Sequence, residues 1–155
     1  MTMQLLPPVL PYRGTRGIDA FGGGGFNAPR SRSGKSYGHK GLDFLANPGD
    51  LLIMPFQAFV TRQGLAYSGA DLGSLHLEGI GEWVGYTAKI LYAIKLGTLE
   101  FNQGVLAGGP LGEAQDVASY HEKKAGDGRK MKNHVHFELR HKGELIDPTP
   151  LFRIS

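Results

Sequence analysis

The sequence predicts an all-β or β-dominated fold, a single domain built on an antiparallel sheet. Its apolar residues fall in short runs rich in Leu, Ile, Val, Phe and Tyr, each bounded by Gly, Pro, Asn or Asp, the pattern of strands separated by turns. Helical periodicity is scarce. Glycine (24 residues) and proline (9 residues) punctuate a chain of 155, long enough to bury a real core within one domain.

Strands are expected near residues 42–45, 51–63, 72–78, 86–94 and 134–140. Asn47-Pro48-Gly49-Asp50 is a strong turn signal between the first two. Gly104 and Gly108-Gly109-Pro110 mark turns on either side of residues 105–107. Residues 22–25 are a run of glycines that reads as a mobile loop, since no Gly-Lys-Ser/Thr closes it as a phosphate cradle. Residues 115–132, rich in Glu, Lys, Asp and Gly, read as a solvated surface loop. Residues 1–18 are expected as an N-terminal extension and 19–155 as the domain proper.

The composition limits the chemistry. With no cysteine, disulfides, thiolate metal sites and Cys nucleophiles are excluded together. The net charge is +3, with a local excess at Arg30, Arg32, Lys35 and Lys40, a mild bias toward an anionic polymer. No aromatic-interleaved basic motif is present, so nucleic acid is not expected as a partner. Residues 1–10 lack the basic start and unbroken apolar core of a signal peptide, being interrupted by Pro7 and Pro8. No stretch approaches the ~18 apolar residues of a membrane span.

Histidines carry the chemistry. In a strand, residues two apart share a face, so His134, His136, Glu138 and Arg140 line one side while Val135, Phe137 and Leu139 line the other. Two imidazoles so placed can converge on an ion or simply face water. His39 and Asp43, at a turn entering a strand, are a second pair of potential ligands. Nitrogen and carboxylate donors at such spacings suit zinc with a position left open, and hydrolysis is the chemistry such an ion supports.

Taken together, Asn27-Ala28-Pro29-Arg30, Gly38-His39-Lys40-Gly41-Leu42-Asp43-Phe44 and Asn47-Pro48-Gly49-Asp50 resemble the first half of the lysostaphin/LytM-type zinc metallopeptidases. Asn133-His134-Val135-His136-Phe137-Glu138-Leu139-Arg140 resembles their second metal motif, and Asp147-Pro148 the segment that closes the domain. The resemblance implies a β-rich domain with a groove that hydrolyses peptide bonds of bacterial peptidoglycan. It implies His39, Asp43 and His136 as zinc ligands, with His134 beside the metal to orient or deprotonate water. Arg30 and Tyr92 are candidates for contact with substrate.

One departure stands out. These peptidases usually carry a further His in a Tyr-x-His-Leu segment, and the counterpart here is Leu91-Tyr92-Ala93-Ile94-Lys95, with Ile94 in the histidine's place. His121, in the stretch leading back to His134, is a candidate to replace it. The alternative is a zinc-binding, non-hydrolytic module of the same fold that binds wall peptides or a protein partner. His76 and His141 read as plain surface or groove-wall residues. A wall-acting chain without a signal peptide suits a phage lysis route or a virion-associated hydrolase.

Overall fold

The computed structural model describes residues 3–153. The chain opens with three short strands, β1 (Val9–Leu10), β2 (Ile18–Asp19) and β3 (Gly22–Gly23), followed by the hairpin of β4 (Pro29–Arg32) and β5 (Lys35–Gly38). Next come β6 (Leu42–Leu45), β7 (Leu51–Ile53), β8 (Ala58–Leu65), β9 (Gly73–Gly79), β10 (Tyr86–Leu91), β11 (Ala93–Lys95) and β12 (Pro110–Ala114). A helix, α1 (Val117–Ala125), precedes the closing strands β13 (His134–His141) and β14 (Glu144–Ile146).

Two antiparallel sheets share one core. The larger runs β14-β13-β10-β9-β8, and β6 pairs with the N-terminal half of β13 on the edge whose other half takes β14. The smaller runs β1-β7-β12-β11. Period-two alternation sends Val135, Phe137 and Leu139 of β13, Ile90 of β10 and Leu75 of β9 into the interior, all fully buried. Val9, Leu52, Ala93 and Leu111 of the smaller sheet meet them there. Phe44 and Phe137 both pack edge-on against Phe152, with centroids 4.9 and 5.4 Å away. The opposite face of the larger sheet stays polar, and it carries the histidines.

The expected strands at 42–45, 72–78 and 134–140 form within a residue of their predicted ends. The other two are each divided. Residues 51–63 split into β7 and β8 around Pro55, and 86–94 split into β10 and β11 at Tyr92, whose φ is 68°. In both cases the chain leaves one sheet for the other. A continuous apolar run does not reveal this, because both halves face the same core.

Two expected loops are structured instead. Within 115–132 lies α1, whose N-terminus is capped by Asp116 Oδ1 accepting from the Ser119 amide at 3.0 Å and whose C-terminus closes on Gly126 at φ 65°. Asn133 ties it down: its Oδ1 accepts from the Ala118 amide, and its Nδ2 donates to the carbonyls of Ala46 and Gln115. The glycine run is packed rather than free. Gly22–Gly23 pairs with β2, and buried Gly24 accepts from the Asp43 amide at 2.8 Å.

Residues 3–18, set apart in the sequence as an extension, contribute to the same core through Leu5 and Val9, and β1 pairs with β7. Among the described residues no helix is long and apolar enough to cross a membrane.

Phe137→Ala tests the shared core. Removing a fully buried phenylalanine is expected to cost about 3–5 kcal/mol, read as a lower urea midpoint at unchanged slope. A loss below about 1 kcal/mol would mean that Phe137 is not part of the packing that joins the sheets.

Candidate metal centre

β6 and β13 pair with Asp43 directly opposite His136, so their side chains meet on the polar face of the sheet. Both are buried, Asp43 at 1% exposure and His136 at 5%. His39 enters from the turn before β6, where its amide donates to the Ala28 carbonyl and its own carbonyl accepts from the Asn27 amide. That turn presses close against β13. A Cβ at Gly41 would stand 2.2 Å from the Phe137 carbonyl oxygen and 2.9 Å from the His136 ring, so glycine is required by the close approach.

His39, Asp43 and His136 form a group able to hold a metal ion, with one donor atom from each within 4.8 Å of the others. Their outer partners assign the protons. His39 Nδ1 lies 2.9 Å from the Gly25 carbonyl and must donate to it. His136 Nε2 lies 2.8 Å from Glu138 Oε2 and donates there. The inward nitrogens, His39 Nε2 and His136 Nδ1, are then lone pairs only 2.9 Å apart, with Asp43 Oδ1 at 3.3 and 2.9 Å from them.

Three lone pairs aimed at one point repel unless a proton or a metal ion lies among them. Bonds of about 2.0–2.1 Å to a tetrahedral zinc place donors about 3.3 Å apart, so this nitrogen, nitrogen and oxygen set fits zinc in chemistry and nearly in spacing. Carboxylate and carbonyl partners on the far nitrogens of both rings are the supporting shell such ligands need.

Asp43 is held from outside as well. Arg16 Nη1 donates to its Oδ2 at 3.0 Å, and Arg16 is itself gripped by both oxygens of Asp19 at 2.8 Å. Asp19 also accepts from the Phe21 and Lys132 amides. Burial opposes the charge on Asp43, but with a proton in the gap among the three inward atoms, hydrogen bonds with His136 and His39 overcome it and keep the carboxyl well below its usual range. Burial likewise opposes ionisation of Asp19 and Glu138. Arg16 and two amides draw the first down to about 2, and His136 chiefly draws the second to about 2. For His136, burial works against protonation, and bonds to Asp43 and Glu138 outweigh it and raise the pKa.

His134 stands beside this group without joining it. Its Nδ1 donates to the Lys132 carbonyl at 2.8 Å, which leaves Nε2 unprotonated 3.5 Å from Asp43 Oδ2. Burial pushes its pKa down to about 4 against the pull of Asp43. The imidazole is neutral near pH 7.

Ile94 lies on β11, 43% exposed, and does not line the cleft over the donors. Tyr92 does, because its positive φ turns the chain between sheets there. Its ring meets that of His134 edge-on at 5.5 Å, and its hydroxyl pairs with that of Tyr67 at 2.5 Å. The Tyr67 hydroxyl in turn lies 3.0 Å from His121 Nε2. His121 is on α1, not in a loop, and its ring sits 5.6 Å from that of Tyr67. Burial raises both tyrosines and lowers His121, so all three are neutral near pH 7.

The cleft encloses about 940 Å³. Arg30 lines it, its guanidinium fixed on the carbonyls of Gly23 and Pro29. His76 bonds Ser74 two strands away from β13, and His141 stacks on Tyr86 at 4.2 Å. Sequence reasoning misses Tyr67, Arg16 and Asp19 altogether, and places Glu138 on the polar face without a partner. Only Glu138 carries a signal, the His-x-Glu alternation.

No protein-family model matches the chain, and a search of curated proteins finds no match. Solved structures do match. A zinc-containing peptidase from Vibrio cholerae superposes with a TM-score of 0.65 at 21% identity, over 95% of this chain and 39% of that one. The catalytic domain of the antimicrobial peptidase lysostaphin from Staphylococcus simulans matches at 0.53 and 18% identity, over 90% of each chain. A SpoIIQ–SpoIIIAH pore-forming complex matches at 0.62 and 13% identity, over 98% of this chain and 92% of that one. The chain has the lysostaphin/LytM-type fold, and it spans well under half the length of the Vibrio peptidase.

Glu138→Ala is expected to lower zinc affinity about 10- to 100-fold in a chelator competition. Glu78→Ala, an exposed carboxylate on the same sheet, should leave it unchanged. Equal affinities in both variants would show that Glu138 does not support the ligand ring.

Proposed function

We propose that this lysostaphin-type domain is a zinc-dependent endopeptidase that hydrolyses peptide bonds of bacterial peptidoglycan. The observation that carries the reading is the His39–Asp43–His136 group, two imidazole nitrogens and a carboxylate oxygen facing one another at the floor of an open cleft, with a third, neutral imidazole, His134, beside them. His39 Nε2, Asp43 Oδ1 and His136 Nδ1 are the atoms that would hold the ion. When bound, zinc supplies Lewis acidity, which polarises a carbonyl and lowers the pKa of water to about 7.

The chain's own residues handle the protons. His134 Nε2 takes the proton of the attacking water as general base. The Asp43 carboxylate, 3.5 Å away, stabilises the imidazolium that results, and the proton then passes to the departing amine.

On the far wall, the hydrogen bonds can run in one direction: His121 Nε2–H donates to Tyr67, and the Tyr67 hydroxyl donates to Tyr92. That leaves the Tyr92 hydroxyl proton free to donate to the substrate carbonyl as it gains charge. In this reading His121 and Tyr67 position Tyr92, which fills the place the missing histidine leaves. Arg30 contacts the peptide from the side.

A second reading is favoured by one residue. Ile94 cannot transfer a proton, and a zinc-binding module that recognises wall peptides or a protein partner without cutting them needs no such group. The SpoIIQ–SpoIIIAH complex is a neighbour that acts within a protein assembly.

The test is fragment release from purified peptidoglycan by zinc-loaded protein, with a chelated control. His134→Ala is expected to lose about 10²–10⁴-fold in rate while zinc stays bound, and retained hydrolysis would reject its role. Tyr92→Phe is expected to lose about 10²-fold in kcat with little change in KM. No cleavage of several wall types by zinc-loaded protein would favour the non-hydrolytic module.

A further inference from the structure

The hairpin beside the cleft is built against its own stability. β4 and β5 pair Arg30 with Tyr37 and Arg32 with Lys35, around a tight turn at Ser33 and Gly34 whose φ values of 53° and 78° fix that register. Arg30 and Arg32, two apart, share a face, and their cross-strand partners Lys35 and Tyr37 lie on it too. All four line the cleft that holds the metal donors, as does Lys40 just beyond the hairpin. Arg32 and Lys35 are therefore like charges directly opposite each other, an arrangement that costs stability in a two-stranded ribbon.

Among the described residues no acidic side chain relieves it. Residues 20–42 contain no Asp or Glu. Among the described residues Arg30, Arg32, Lys35 and Lys40 form no salt bridge, and the hydrogen bonds of Arg30 go to backbone carbonyls.

The carboxylates that line the cleft are already committed. Asp43 is taken by His39, His136 and Arg16, and Glu138 by His136 and Arg140. The wall thus presents several exposed cations with no counter-charge among the described residues, in a concave site whose walls focus their field.

We propose that the β4–β5 hairpin and Lys40 form a carboxylate-recognising wall, so that the domain selects wall peptides bearing free carboxylates over neutral ones such as glycine bridges. This rests on the peptidase reading for the reaction, while recognition itself requires no cleavage. The carboxylates of the bound peptide supply the counter-charge that Arg32 and Lys35 lack, and Arg30, fixed on the Gly23 carbonyl, sets the height at which the peptide backbone lies over the donors. Lys40, next to His39 in sequence, extends the wall to the edge of the metal group.

The experiment measures binding of a synthetic stem peptide with free carboxylates and of the same peptide with those groups amidated. Both are titrated into zinc-loaded protein in a His134→Ala background, so that bound peptide stays intact. The free acid is expected to bind about tenfold tighter at low salt, two exposed ion pairs at the upper end of their usual worth. High salt should shrink the difference.

Arg32→Gln/Lys35→Gln should bring the two peptides within about twofold of each other, at unchanged zinc content. Lys142→Gln/Arg153→Gln, which removes the same charge from exposed positions outside the cleft, should keep the preference. A preference that survives Arg32→Gln/Lys35→Gln would place the carboxylate on the metal instead and overturn the proposal. Equal binding of acid and amide, or no binding of either, would overturn it too. If the parent protein fails to cleave but the acid preference tracks the hairpin, the peptidase reading falls and the recognition wall stands.

Discussion

A carboxylate buried to 1% exposure is the constraint on which the rest of the structure turns. Removing Asp43 from water costs several kcal/mol unless every lone pair finds a partner. Its surroundings accordingly supply partners for both oxygens: Arg16 donates to one, the His39 and His136 nitrogens can share a proton or a metal ion with the other, and His134 lies within reach. Each neighbour is fixed in turn by a group from a different segment. Gly25 holds His39, Glu138 holds His136, Asp19 holds Arg16, and Lys132 holds His134. The glycine run, the polar face of β13, the β2–β3 turn and the end of the stretch after α1 are thereby all drawn to one carboxylate.

This explains why glycine is so frequent around the site. A Cβ at Gly24 would stand 2.6 Å from Cβ of Arg16 and 3.0 Å from that of Asp43. Gly41 is pressed against β13 in the same way. What looks in the sequence like flexible filler is close packing, in which backbone replaces side chain so that polar groups can converge.

Much of this is legible in the amino-acid sequence. The alternation of His134, Val135, His136, Phe137 and Glu138 gives both the strand and its two faces, because period two is a local property. The three residues of the candidate metal group are legible through the combined motifs, and the structure brings them together because Asp43 and His136 sit in paired strands. The chain's passages between sheets are not. Tyr92 reads as one more apolar strand residue, and only its φ of 68° shows that the strand ends there. Helix α1 is hidden by its polar exterior, although Asp116, Ser119 and Gly126 spell out its caps. Tyr67 carries no signal at all, for its partners lie 25 and 54 residues away and no local pattern links them.

The two walls of the cleft rest on unequal foundations. His136 and Asp43 belong to strands whose opposite faces are the main core, so they separate only when the whole domain unfolds. Tyr67, Tyr92 and Tyr120 instead pack with a small satellite cluster of Ala70, Leu72 and Val117 beneath α1, and His121 rides on that helix. A nine-residue helix that buries only Val117 and Ala118 and is tied down by a few side-chain hydrogen bonds is expected to open at lower free energy than the sheets. Partial opening would carry His121 away and leave the ligand ring whole. An ion held by His39, Asp43 and His136 would therefore outlast the alignment of the far wall, so metal content by itself would be no measure of how much of the cleft is assembled.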